Sequence, residues 1–330
     1  MSWYDAPADE VYAQFRTAVD NALREVLHSV RSTTVLRETV PYVLQLPGKR
    51  FRPLLCLLAS AVEGASPWEA VPAAAALEVI HTFTLVHDDV MDRSPLRRGQ
   101  PTVYKRWGEA VAILTGDVLI GLAYRLLERY AERPFYARMV SLFTQGLIEV
   151  SEGQALDLQL PAYPQPELEH YWELVDGKTV ALLRTAMQLG ALVGEVTPRT
   201  RALLEELAVP LGRAFQLQDD LLDLVGDTEQ TGKQVGQDLR EGKYTYAILR
   251  ALELLPGNEL LQRYRRRRGA EEASVPQLIE LLQRTGILSE MEQLIIAYYE
   301  RAFALLGQLP AGPARELFRE LLEHLRHRRW

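Results

Sequence analysis

A single cysteine, Cys56, stands in 330 residues, so no intrachain disulfide can form. Its setting, PLLCLLASAV, reads as a buried and inert thiol, in keeping with a reducing cytoplasm. No uninterrupted apolar run reaches the ~20 residues of a bilayer-spanning helix. The stretch VAILTGDVLIGLAY, for example, is broken by Asp117. The start, MSWYDAPADE, lacks a basic segment followed by an apolar one, so no signal peptide is read there. A soluble cytoplasmic protein without a transmembrane segment is the expectation. Basic charge is not in excess either: 37 Lys and Arg against 44 Asp and Glu leave a net charge of -7. That balance speaks against nucleic acid as the main partner. Alternating apolar and polar runs are few, and Gly/Ser linkers, low-complexity tracts and a solenoid period are lacking, which leaves little room for β-structure or a string of domains.

Helical periodicity fills the space. Apolar residues recur at three- and four-residue spacing in VYAQFRTAVDNALREVL, AVPAAAALEVIHTFTLVHDDVMD, RALLEELAVPLGRAFQLQDDLLDLV and SEMEQLIIAYYERAFALLGQL. Breakers separate them, among them Gly48, Pro95 with Gly99, PAYPQP, GDTEQTGKQVG and LLPGNE. The pattern predicts an all-α chain of about ten or more helices, forming one helical domain over residues 1–330.

Six of the 14 aspartates fall in two pentapeptides: Asp88, Asp89 and Asp92 in DDVMD, and Asp219, Asp220 and Asp223 in DDLLD. Each pentapeptide ends an apolar helical stretch. Residues four apart share a helix face, so Asp88 projects with Asp92, and Asp219 with Asp223. Like charges at that spacing destabilise a helix. A merely solvated face would intersperse Lys or Arg, and neither pentapeptide has any. Clustered carboxylates are hard oxygen ligands, and magnesium typically takes one or two of them together with phosphate oxygens and water. The echo suggests two helices presenting the same chemistry toward a common centre.

Basic groups accompany each cluster. GKRFRP supplies Lys49, Arg50 and Arg52, Arg97 and Arg98 follow the first aspartates, and Lys233 and Lys243 follow the second. Adjacent arginines before a glycine suit forked phosphate recognition. A buried diphosphate must be compensated, and alternating acid and base does this from two sides.

In these motifs the chain resembles the trans-isoprenyl diphosphate synthases, or polyprenyl synthetases, and most of all the short-chain geranylgeranyl diphosphate synthases. The matching pieces are GKRFRP, HTFTLVHDDVMDRSPLRRGQPT, AILTGDVLIGLAY, GQALDL, DGKTVALL, FQLQDDLLDLVGD and TGKQVGQDLREGKYTYAIL, in family order over residues 48 to 249. The resemblance implies one large helical bundle with a central cavity, magnesium as cofactor at three ions per active site, and a homodimer. The substrates it implies are isopentenyl diphosphate and an allylic diphosphate (dimethylallyl, geranyl or farnesyl). Asp88 and Asp92, supported by Asp89, would hold ions bridging the allylic diphosphate. Asp219, assisted by Asp220 and Asp223, would hold the ion on the opposite wall. Arg97, Lys178, Lys233 and Lys243 would neutralise the leaving diphosphate. Lys49, Arg52, His81 and Arg98 would form a metal-free isopentenyl diphosphate pocket. His81 stands two turns before Asp88 on the same helix face.

The implied reaction is ionisation, condensation and elimination. Thr179, in the irregular Gly177-Lys178-Thr179 step, and Gln216, one turn before Asp219, suit stabilisation of the carbocation, and each also suits a purely structural place. Phe83 lies five residues before Asp88, roughly 7.5 Å along the helix axis. There it resembles a floor for a short product, and the small Thr84 beside it argues against the still shorter farnesyl type. The expected product is C20, with C15 the competitor. His87 reads as structural and Arg265 to Arg268 as a solvated run. The basic end, RHRRW, reads as frayed rather than as a closing tail. A class I terpene cyclase would usually lack the second aspartate cluster and the isopentenyl pocket. A non-catalytic subunit tends to lose aspartates, and a squalene-type enzyme has no use for the isopentenyl pocket.

Overall fold

The computed structural model describes residues 3–4, 6–30, 34–226 and 235–327. Apart from one two-stranded hairpin, the regular elements among these residues are helices: α1 (Ala8–Val26), α2 (Leu36–Leu44), α3 (Phe51–Ala61), α4 (Val71–Met91), α5 (Val103–Trp107), α6 (Glu109–Leu127), α7 (Tyr136–Gln159), α8 (Leu168–Val175), α9 (Ala181–Val193) and α10 (Pro198–Val225). Five more α-helices follow: Gln237–Glu241, Tyr246–Leu254, Glu259–Arg267, Val275–Arg284 and Ile287–Leu306; a sixth, Pro313–Arg326, ends the described chain. The all-α expectation holds. By internal packing the chain forms two compact units. One comprises Met1–Leu147, Leu182–Glu205 and Gln308–Glu320, the other Ile148–Ala181, Glu206–Gly307 and Leu321–Trp330.

The first unit is organised on α4. Pro72 opens this helix in the first turn, where its missing N–H costs nothing. From Ala73 to Ile80 every residue is buried, including four consecutive alanines. A helix buried on all sides is a core helix, and α3 and α6 pack on it. By length and apolar content alone, Pro67–Met91 and Glu109–Tyr130 could each cross a bilayer. Single polar residues such as His81 and Asp117 interrupt these runs without ending their helices. In the first, 67% of the apolar window is buried inside the protein, as a core helix requires. α1 presents Val11, Phe15, Val19 and Leu23 at helical spacing to the interior, and Tyr12 donates a 2.5 Å hydrogen bond to the Leu317 carbonyl. Cys56 is fully buried in α3, and burial pushes its thiol well above the ordinary range.

In the second unit, residues 176–180 of DGKTV form a π-turn between α8 and α9, at the irregular step expected from the sequence. The turn is seated by two glycines in backbone contact. A Cβ on Gly153 of α7 would fall 2.4 Å from the Lys178 amide nitrogen, and one on Gly177 would fall 2.8 Å from the Gly153 Cα. Arg213 of α10 grips Asp176 with two bonds of 2.9 and 2.6 Å while its guanidinium lies over the Trp172 ring. The helix Glu259–Arg267 carries the arginine run at its C-terminal end, where cations suit the helix dipole, and Arg266, Arg267 and Arg268 are exposed as expected.

Candidate active site

The first aspartate cluster ends α4. Asp88 and Asp89 sit in its last turn and Asp92 caps it, donating its amide to the Asp88 carbonyl at 2.8 Å. The last turn holds no basic residue. Carboxylates at a helix C-terminus meet the negative end of the dipole as well as each other, so this position calls for a cation. The three are not equivalent. Asp89 is buried and accepts a 2.7 Å bond from Arg97 Nε, whereas Asp92 is exposed. Burial, followed by Asp88 and Asp92, pushes the Asp89 carboxyl up to about 6 despite Arg97.

Arg97 and Arg98 are placed by the hairpin, in which Leu96–Arg97 pairs with Gln100–Pro101. The two connecting residues, Arg98 and Gly99, both have positive φ, at 53° and 74°. This is the backbone of a tight two-residue hairpin turn. A non-glycine residue there is strained, and Arg98 is held by a 2.6 Å bond from its guanidinium to the Pro47 carbonyl, next to Gly48. GKRFRP itself divides. Arg50 turns inward, donating to Glu78 at 2.7 Å and to Asp20 at 3.0 Å, so it braces the fold. Lys49 is exposed, and Arg52 reaches His81, with NH1 at 3.1 Å from Nε2. Arginine can only donate, so Nε2 accepts and the ring proton resides on Nδ1. Burial, then Arg52, Arg98, Arg97 and Arg50, hold His81 well below its ordinary range. One neutral imidazole thus sits amid four guanidinium groups. Thr82, Asp89, Arg97 and Arg98 line a single open recess with Tyr42.

The second cluster, near the C-terminal end of α10, is more embedded. Asp220 is buried and accepts at both oxygens, from Tyr171 OH at 2.8 Å and Gln216 Nε2 at 2.9 Å. Thr179 Oγ1 in turn donates to Gln216 Oε1 at 2.7 Å. Thr179, Gln216, Asp220 and Tyr171 therefore form one chain of hydrogen bonds. Burial, then Asp238, push Asp220 up to about 7, against the bonds from Gln216 and Tyr171. Asp223 accepts the amides of Gln237 and Asp238, each at 3.1 Å, at the start of the short helix Gln237–Glu241. Asp219, partly buried, follows Gln218, whose amide bonds the Tyr299 hydroxyl at 3.0 Å and the Arg326 carbonyl at 3.2 Å. The last described helix is thus fastened one residue from Asp219. Arg328 and Arg329 of the basic end lie outside the described residues.

Lys178, on the π-turn, donates to Asp157 at 2.6 Å. Lys243 lies 3.1 Å from Asp238 and 2.8 Å from Glu241. Burial opposes its charge, but these two carboxylates outweigh it and keep the ammonium above its usual range. Lys233 lies outside the described residues. Phe83 is buried on α4, and Thr84 beside it is partly buried, its hydroxyl bonded to the His81 carbonyl at 2.8 Å.

The family model described as polyprenyl synthetase matches residues 33–282. The chain belongs to the polyprenyl synthetase family. It is similar to a short chain isoprenyl diphosphate synthase of Methanothermobacter thermautotrophicus, at 34% identity over 93% of this chain and 94% of the relative. A geranylgeranyl diphosphate synthase of Methanosarcina mazei is 33% identical over the same shares of the two chains. Among solved structures, a polyprenyl synthase from Caulobacter crescentus, complexed with calcium and isoprenyl diphosphate, superposes with a TM-score of 0.87. It is 31% identical and covers 98% of both chains.

This polyprenyl synthetase is therefore a trans-prenyltransferase, and its donors fit a hard divalent ion. Among the described residues no three His, Cys, Asp or Glu side chains close around a point to hold an ion by themselves. Magnesium asks for no such cage: one or two carboxylates suffice when water and phosphate oxygens complete the shell. Tyr171, Asp157, Glu78 and the Asp176–Arg213 pair escaped the sequence reading. Each acts through a partner far away in the chain, and only Asp157, in GQALDL, and Asp176, in DGKTVALL, stand in a motif at all.

Proposed function

We propose that this polyprenyl synthetase condenses isopentenyl diphosphate head to tail with an allylic diphosphate, releasing diphosphate and yielding geranylgeranyl diphosphate. One observation carries the proposal: neutral His81, amid guanidinium groups, stands on the same helix as a metal-type carboxylate cluster, and Arg97 and Arg98 line one recess with Asp89 of that cluster. The pairing suits two diphosphates, one taken through metal and one without. A cyclase needs only the first.

In the proposed roles, Lys49, Arg52 and Arg98 bind isopentenyl diphosphate, and His81 adds its Nδ1–H as a neutral donor. Asp88 and Asp92 hold magnesium in the first unit, and Asp219 holds it in the second. Magnesium supplies Lewis-acid neutralisation of the departing diphosphate. Asp89, Asp220 and Asp223 are already engaged by Arg97, by Tyr171 with Gln216, and by backbone amides, so they support and orient. Arg97, Lys178, Lys233 and Lys243 draw negative charge from the leaving group. Thr179 spends its proton on Gln216, which leaves its oxygen lone pairs to face positive charge in the allylic cation. Phe83 ends the path of the growing chain. A homodimer belongs to the proposal, seated on α6, whose Ile113 and Leu114 are 40% and 52% exposed.

Calorimetry of isopentenyl diphosphate in EDTA tests the metal-free pocket. Binding should persist without magnesium and weaken at least about tenfold in Arg52→Gln, the loss of one charge-assisted pair. Binding that vanishes in EDTA would remove the second pocket and leave a cyclase-like site.

A further inference from the structure

We propose that His87, with Gly116 behind it, determines product length by fixing the ring of Phe83. This rests on the proposal that Phe83 ends the path of the growing chain. His87 lies one helical turn after Phe83 on α4, and the two rings meet edge to face, with centroids 4.6 Å apart and planes at 63°. The far side of the imidazole is anchored on α6, where Nε2 lies 3.2 Å from the Ile113 carbonyl. A carbonyl only accepts, so Nε2 carries the proton and the ring orientation is set by that bond.

The space for this ring exists because residue 116 is glycine. A Cβ there would stand 2.1 Å from His87 Nε2 and 2.4 Å from Cδ2. Any side chain at 116 must drive the imidazole away, and Phe83 lies against its other side. Phe83 has two torsions and would otherwise move between staggered wells. The edge-to-face contact holds one of them. His87 is therefore a positioning residue for specificity, acting through Phe83 and not on the diphosphates.

The experiment compares full-length wild type, Phe83→Ala, His87→Ala, Gly116→Ala and the Phe83→Ala/His87→Ala double variant. Each receives labelled isopentenyl diphosphate, magnesium and each allylic primer. Products are dephosphorylated and sized, and KM for isopentenyl diphosphate is measured alongside. Phe83→Ala should give chains longer than C20. His87→Ala should raise the share of longer chains by about tenfold, the scale of discrimination one small apolar contact can supply, with KM unchanged within about twofold. Gly116→Ala should shift product toward C15, because the displaced imidazole presses Phe83. The double variant should match Phe83→Ala.

Longer products from Phe83→Ala with a wild-type distribution from His87→Ala would overturn the role of His87 and leave the floor standing. An unchanged distribution from Phe83→Ala would overturn the floor and this inference with it. A double variant that elongates beyond Phe83→Ala would make His87 a floor in its own right and overturn the positioning role. His87→Ala leaves a small cavity and no clash, so it decides the matter even if Gly116→Ala does not fold.

Discussion

Asp220 shows what burial does to one carboxyl. In an unfolded chain an aspartate titrates near about 3.9, whereas here burial and Asp238 raise Asp220 to about 7. Between those values the folded state binds more protons than the unfolded state. The stability this gives is complete below about pH 4 and is lost as pH rises through about 7. In EDTA, the wild type should lose melting temperature relative to Asp220→Asn between pH 5 and pH 8. A constant gap between the two would mean that Asp220 does not titrate in that range. The identities of the charged residues were legible in the sequence because two DDxxD pentapeptides are conspicuous. Their inequality was not. Nothing in DDLLD tells that Asp220 meets Tyr171, 49 positions away, or that Asp223 receives two backbone amides. GKRFRP likewise did not reveal that Arg50, at φ 52°, turns to Glu78 and Asp20 while Arg52 reaches His81.

At the scale of elements, α4 and α6 carry most of what makes this enzyme particular. α4 brings His81, Phe83, His87 and the first aspartates along one helix, and its helical spacing made that line readable in advance. In the sequence α6 shows only as a motif stretch interrupted by Asp117. Its two faces differ: Ala112, Thr115, Gly116 and Leu119 are buried, whereas Ile113 and Leu114 are exposed. An apolar face of this kind is unfavourable in water and suits a second copy of the chain. Leu114→Arg places a charge on the proposed seam at an exposed position. Analytical ultracentrifugation should then show a dimer for the wild type and a monomer at about micromolar concentration for the variant, a loss of several kcal/mol of interface. A variant that remains dimeric would move the seam elsewhere. The π-turn at Lys178 was visible as an irregularity only. That the Gly153–Gly177 contact seats it depends on packing between helices, which periodicity does not encode.

The whole molecule divides its chemistry between two compact units. The first supplies a carboxylate cluster, the hairpin arginines and the His81 pocket. The second supplies a more buried cluster, the Lys178 turn and the Thr179–Gln216–Asp220–Tyr171 chain. Each unit places carboxylates near a helix C-terminus, an arrangement that asks for cations. Helical periodicity and the order of motifs made the all-α fold and the chemistry legible, whereas the division into units arises from contacts distant in sequence. The most direct measurement is condensation itself: purified protein, magnesium, labelled isopentenyl diphosphate and dimethylallyl, geranyl or farnesyl diphosphate in turn, with products sized after dephosphorylation. The predicted result is magnesium-dependent accumulation of the C20 alcohol. No condensation with any primer would contradict the account.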